Sequence, residues 1–150
     1  MDGFLDALRR SLFPVQVLVV DDDAGARRAL CGVLLQHKYQ VLEAACATDA
    51  LALLASSHVA VDLIISDIQM PGMAGDALGR EVRARWGDVP ILFISGDPSF
   101  ATLPAEIGGP ARFLAKPFGA PELLGQVHHL LGTTDASAEA LLRPAFDAGS

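Results

Sequence analysis

The chain predicts an α/β fold, a five-stranded parallel sheet with helices on both faces, from three observations. Short apolar runs alternate along its length with stretches of helical periodicity. The apolar runs are continuous, as in strands covered on both faces. Reactive side chains stand at the ends of four of these runs, at the carboxyl edge where parallel sheets bind ligands.

The first strand is expected over 15–20, from Val15-Gln16-Val17-Leu18-Val19-Val20, and it runs into Asp21-Asp22-Asp23. A helix follows over 24–36, with Ala26, Leu30, Val33 and Leu34 at helical spacing. Residues 39–43 read as a short strand. Thr48 is a plausible N-cap for a helix over 49–56, whose inward stripe would be Leu51, Leu54 and Ala55. The strand over 63–66 ends at Asp67, and Met70-Pro71-Gly72 makes the turn behind it, Pro presetting φ and Gly taking the positive φ. Residues 74–86 are helical, with Leu78, Val82 and Trp86 four apart, and 90–94 are a strand closed by Ser95. The weakest element lies between Ser95 and Arg112, where Pro98, Pro104, Gly108, Gly109 and Pro110 allow about two helical turns near 99–107. A last strand over 112–115 is closed by Lys116, and a helix over 121–131 turns Leu123, Leu124, Val127 and Leu131 inward.

At 150 residues the chain has the length of one domain, and 51% hydrophobic with 19% charged residues is a globular composition. The organisation expected is an extension over 1–14, a domain over 15–131 and a tail over 132–150. The extension could form a short amphipathic helix, with Phe4, Leu5, Leu8 and Leu12 opposite Arg9 and Arg10, as a cap or as a contact in a homodimer. The net charge of −7 argues against direct nucleic-acid binding. No apolar run approaches the roughly 18 residues a membrane span needs, and the N-terminus carries acid where a signal peptide carries base. Cys31 and Cys46 show neither metal spacing nor a disulfide framework and read as small buried thiols, so the cytoplasm is the expected compartment. His37, His58, His128 and His129 have no metal spacing either.

An acidic pair, an isolated Asp, a hydroxyl and a Lys at one sheet edge suit phosphoryl chemistry. A carboxylate can attack phosphorus, but its charge repels the phosphoryl group unless a cation intervenes. Asp21, Asp22 and Asp67 together offer an oxygen cage for Mg²⁺. Lys116 offers a positive charge and Ser95 a hydrogen-bond donor for phosphoryl oxygens.

These residues carry a resemblance. Val-Leu-Val-Val-Asp-Asp-Asp at 17–23, Ser-Asp-Ile-Gln-Met-Pro-Gly-Met at 66–73, Phe-Ile-Ser-Gly at 93–96 and Lys-Pro-Phe at 116–118 resemble the receiver domain of two-component response regulators, from Val15 to about Leu131. The resemblance implies a flavodoxin-like receiver fold with strand order 2-1-3-4-5. It implies that Asp67 takes phosphate from a phosphohistidine on a histidine kinase or a histidine phosphotransfer protein, with slow autodephosphorylation and no metabolite turned over. Mg²⁺ would be held by Asp22, Asp67 and the backbone carbonyl of Gln69, with Asp21 acting through water. Ser95 and Lys116 would contact the phosphoryl group, and Ser95 and Phe113 would be the switch residues. Gln69 and Asp97 occupy the positions that tune phosphate lifetime, and the Lys116–Pro117 bond would be cis.

Output would pass to a downstream protein partner, from a stand-alone regulator or the receiver of a hybrid kinase. The segment after Pro98 departs from the family pattern on the output side, and Phe113 takes the family's aromatic position without a phenol hydroxyl to expose or bury. Two rival readings remain: a small haloacid-dehalogenase-type phosphatase with Asp21 as nucleophile and Asp23 as acid/base, and a receiver fold that only docks.

Overall fold

The computed structural model describes residues 4–5, 14–56 and 58–132. What is expected of the rest of the N-terminal extension and of the tail lies outside them; Phe4 and Leu5 are helical and exposed. Five strands, β1 (Gln16–Val20), β2 (Gln40–Ala44), β3 (Leu63–Asp67), β4 (Ile91–Ser95) and β5 (Ala111–Ala115), form one parallel sheet in the order β2-β1-β3-β4-β5. The expected fold class and order are therefore observed. The helices are α1 (Ala24–Gln36), α2 (Ala47–Ala55), α3 (Gly75–Trp86), α4 (Leu103–Ile107) and α5 (Ala120–Leu130), with a 3₁₀ turn over Pro98–Thr102 leading into α4.

Successive strand residues serve opposite cores, as a period of two requires. Val17, Val19, Leu63, Ile65, Leu92 and Ile94 pack with Leu34 of α1 and Val127 of α5. Leu18, Val20, Ile64, Ile91 and Phe93 pack with Ala50 of α2, Leu78 and Val82 of α3 and Leu103 of α4. The chain winds outward from β1 to β2, then returns past β1 to β3. The reversal leaves the carboxyl ends of β1 and β3 side by side, at the switch point where such sheets bind ligands.

Two expectations about α2 are corrected. Thr48 is not its N-cap: the helix begins at Ala47, Cys46 holds the cap position without a side-chain bond, and Thr48 is exposed in the first turn. The inward face is Ala47 and Ala50 with Leu51 and Leu54, while Ala55 faces solvent. Alanines can begin a helix wherever tertiary packing accepts them, and here Ala44, Ala47 and Ala50 let α2 lie close to the sheet. Strand ends shift by a residue: β2 runs 40–44, β4 runs 91–95 and β5 starts at 111.

The segment after β4 is short and broken, as its prolines and glycines require, and it is tied down from α3. The Arg83 guanidinium donates to the carbonyls of Gly108 (2.9 Å), Gly87 (2.8 Å), Val89 (2.7 Å) and Pro110 (3.1 Å). A Cβ on Gly109, whose φ is +68°, would stand 2.7 Å from Arg83 Nε, so the loop closes over the guanidinium only as glycine. Gly79 lets α3 approach in the same way, since a Cβ there would meet Phe93 at 2.6 Å and Ile107 at 2.8 Å. Arg83→Ala should destabilise the fold by about 2–3 kcal/mol, the penalty for leaving partly buried carbonyls without donors. Urea unfolding would show this, and hydrogen exchange would show faster opening over residues 103–110.

Candidate functional site

Asp67 ends β3 and is 8% exposed, held on the edge by its strand rather than by a loop. Lys116, just past β5, places Nζ 3.4 Å from Asp67 Oδ2. Asp21 follows β1 and is 1% exposed, with its N–H donating to the Ala44 carbonyl. Each of Asp21, Asp22 and Asp67 brings a carboxylate oxygen into a group whose members lie within 4.8 Å of one another. Asp23 stands apart. Its carboxylate accepts from the N–H groups of Gly25 (2.9 Å) and Ala26 (3.2 Å) and caps α1.

Burial pushes the Asp21 carboxyl above its ordinary value, and the charges of Asp67 and Asp22 push the same way. The Asp23 N–H, which donates to Asp21 Oδ1 at 2.9 Å, and the Lys116 ammonium oppose them. Three carboxylates beside one ammonium leave an excess of negative charge. This donor set fits a divalent cation, which Mg²⁺-type sites hold through carboxylates, carbonyls and water.

Ser95 ends β4 and is fully buried. Its hydroxyl donates to Gln69 Oε1 at 3.3 Å and accepts from the Asp97 N–H at 3.0 Å. Its carbonyl accepts from the Lys116 N–H at 2.9 Å, so the ends of β4 and β5 are bonded beside the acids. Gln69 is exposed, two residues past Asp67. The Asp97 carboxylate accepts from the Ser99 N–H at 2.9 Å, which holds its pKa below the usual value, and it starts the 3₁₀ turn. Phe113 is half-buried against the second core and lies opposite Phe93. The Lys116–Pro117 bond is cis. Asp21, Asp22, Asp67 and Lys116 thus converge, with Ser95 and Gln69 paired beside them; Asp97 turns to its own loop and Phe113 lies below the edge. Of the two thiols, Cys31 is buried, which raises its pKa to about 11, while Cys46 is only half-buried.

Two residues that shape the site were not anticipated. A Cβ on Gly75 would stand 2.3 Å from the Asp67 carbonyl oxygen and 2.7 Å from Ile68 Cα, and the Gly75 N–H donates to the Ile68 carbonyl at 2.8 Å. The start of α3 therefore touches the backbone that carries Asp67. Its only signal was a glycine at the head of a helical stretch. Arg27, in the first turn of α1, donates from Nη1 to the Asp21 carbonyl at 2.6 Å and from Nε to Glu43 at 3.0 Å. No motif pointed to it.

A family model described as "Response regulator receiver domain" matches residues 17–128. The chain is 35% identical over 122 residues to "Response regulator MprA" of Mycolicibacterium vanbaalenii, covering 81% of this chain and 52% of that protein. It is also 35% identical to "Sensor kinase CckA" of Brucella abortus, over 79% of this chain and 13% of the kinase. The chain thus spans about half the length of the first relative and a small part of the second. Among solved structures, a putative response regulator from Chloroflexus aurantiacus superposes with a TM-score of 0.72 at 33% identity, covering 79% of this chain and 98% of that one. The response regulator protein TrrA of Thermotoga maritima, in complex with Mg(2+)-BeF, superposes with a TM-score of 0.70 at 27% identity, covering 78% and 99%.

Because its folded pKa is raised, Asp21 favours the fold when protonated. That contribution is present below the ordinary value of 3.8 and is lost as pH rises through the folded value. Asp21→Asn, measured in EDTA, should raise the thermal midpoint at neutral pH by roughly 2–5 °C. The difference should vanish on acidification below 3.8, which thermal melts across a pH series would test.

Proposed function

This chain belongs to the response regulator receiver domain family of two-component signalling, and we propose that Asp67 is its phosphoacceptor. The observation that carries the reading is the convergence of Asp67 with Asp21, Asp22 and Lys116 at the switch point of the sheet. The domain is a signalling receiver rather than a metabolic enzyme, and the chemistry proposed for it is phosphoryl transfer to its own side chain.

In that transfer an Asp67 carboxylate oxygen attacks the phosphorus of a phosphohistidine. The new O–P bond forms as the N–P bond breaks, and the imidazole nitrogen leaves with the electron pair and takes up a proton. Asp67 is suited to attack because β3 fixes its backbone and Gly75 buttresses it. The Lys116 ammonium, 3.4 Å from Oδ2, can follow the charge from the carboxylate to the phosphoryl oxygens. Ser95 can redirect its hydroxyl hydrogen bond from Gln69 Oε1 to a phosphoryl oxygen.

Asp22, Asp67 and the backbone carbonyl of Gln69 would hold Mg²⁺, with Asp21 acting through water. Bound there, the ion neutralises charge between nucleophile and phosphoryl group. Without it, the anionic pocket repels its own substrate.

Water returns Asp67 to the carboxylate in autodephosphorylation. Gln69 and Asp97 would set the rate, Gln69 from the open side of the pocket and Asp97 through the turn it caps. The donor would be a histidine kinase or a histidine phosphotransfer protein and the output a downstream protein, with a homodimer as one form the output could take. Ser95 and Phe113 would be the switch residues. No helix among the described residues is long and apolar enough to cross a membrane, and we place the chain in the cytoplasm with its kinase.

Intact mass spectrometry after incubation with Mg²⁺ and acetyl phosphate tests the assignment. Wild type should gain one phosphate and Asp67→Asn none. Lys116→Ala should be phosphorylated at least about 100-fold more slowly, as for the loss of a preorganised charge on the reacting group. Label on Asp21 would instead favour the phosphatase reading, and no adduct at any donor concentration the docking reading.

A further inference from the structure

We infer that Arg27 is a positioning residue for the cation-binding acids, acting through the backbone carbonyl of Asp21; this rests on the metal and phosphoacceptor reading above. The side chain is 18% exposed and reaches from the first turn of α1 back across the β1–α1 turn. Nη1 donates to the Asp21 carbonyl at 2.6 Å, and Nε donates to Oε1 of Glu43 on β2 at 3.0 Å.

The Asp21 carbonyl is part of the peptide that leads into Asp22. Several contacts fix that short stretch. The Asp21 N–H is bonded to Ala44, the Asp21 carboxylate accepts from the Asp23 N–H, and the Asp23 carbonyl accepts from the Arg27 N–H at 2.9 Å. The guanidinium adds another, on the carbonyl of the peptide that joins the two acids. Its planar fork can bond a carbonyl and a carboxylate at once, which an ammonium on a flexible stem does poorly. Glu43 in turn anchors the fork to the edge strand. Asp21 and Asp22 therefore leave the backbone in orientations that depend on Arg27.

A charge effect would have the opposite sign. A positive group near a cation site opposes cation binding, so an Arg27 acting through space would weaken it and its removal would tighten it. Arg27 is ion-paired with Glu43 at 3.0 Å, which offsets its charge. Positioning predicts that removal weakens the site.

The test is isothermal titration of Mg²⁺ alone into wild-type, Arg27→Ala and Arg27→Lys chains, with phosphorylation by acetyl phosphate followed against Mg²⁺ concentration. Arg27→Ala should bind Mg²⁺ about tenfold more weakly, the lower end of what lost supporting contacts cost a metal site. Its phosphorylation rate should fall at low Mg²⁺ and recover at saturating Mg²⁺. Arg27→Lys keeps the charge but not the fork and should also bind more weakly, and it carries the test if the alanine variant fails to fold. Unchanged or tighter Mg²⁺ binding in the folded variants would overturn the positioning role while leaving Asp67 as acceptor. A wild-type chain that binds no Mg²⁺ would overturn both.

Discussion

Like charges held at close range are the constraint on which the rest of the structure depends. Three carboxylates within 4.8 Å of one another would separate if the chain let them. They are kept together because β1 and β3 are adjacent strands in a five-stranded sheet buried on both faces, and their carboxyl ends cannot move apart without breaking two cores. Lys116 arrives from β5 at the far side of β4 and offsets part of the repulsion. Burial raises the pKa of Asp21, and the neighbouring charges of Asp67 and Asp22 add to the rise. An apolar core of ordinary packing thus maintains a polar site that is unfavourable by itself.

The consecutive acids show how finely the backbone divides roles. Asp21, Asp22 and Asp23 have one chemistry, yet only the first two join the cluster. The third has its carboxylate turned to the N–H groups of Gly25 and Ala26, where the free donors of a helix start need an acceptor. This division weighs against a phosphatase in which Asp21 attacks and Asp23 moves the proton. Asp21 is 1% exposed, with one oxygen engaged by the Asp23 N–H, and Asp23 is committed to its cap.

Much of the fold and of the edge was legible because parallel strands announce themselves. A strand covered on both faces must be a continuous apolar run, and whatever ends it stands at the sheet edge; this is how Asp67, Ser95 and Lys116 could be grouped without a structure. What was not legible acts through space or through backbone. Gly75 matters because its missing Cβ leaves room for the Asp67 carbonyl, and Arg27 because its fork reaches across a turn. Neither property has a local sequence period. The start of α2 was misplaced for a related reason. Ala47 begins the helix because the sheet accepts a small side chain there, while Thr48, the better cap former, lies inside the first turn.

On the phosphoacceptor reading proposed above, a connection from Asp67 to a distant surface would run through the bonding of Ser95. Its hydroxyl has one proton, and Gln69 Oε1 now accepts it. A phosphoryl oxygen could accept that hydrogen bond only if Gln69 gave it up, so the response proposed at Ser95 would be an exchange between two acceptors with two discrete states. Ser95 cannot make the exchange in isolation. Its hydroxyl accepts from the Asp97 N–H and its carbonyl accepts from the Lys116 N–H. Displacing it therefore pulls on the cap of the 3₁₀ turn that leads into α4 and on the end of β5. Phe113 lies in that strand, against the core that holds Leu103 of α4. At its other end the α4 segment is held by the Arg83 fork on Gly108 and Pro110. A short helix tied at its far end and pulled at its near end would tilt rather than slide, which would confine the proposed response to the face formed by the turn, α4 and β5.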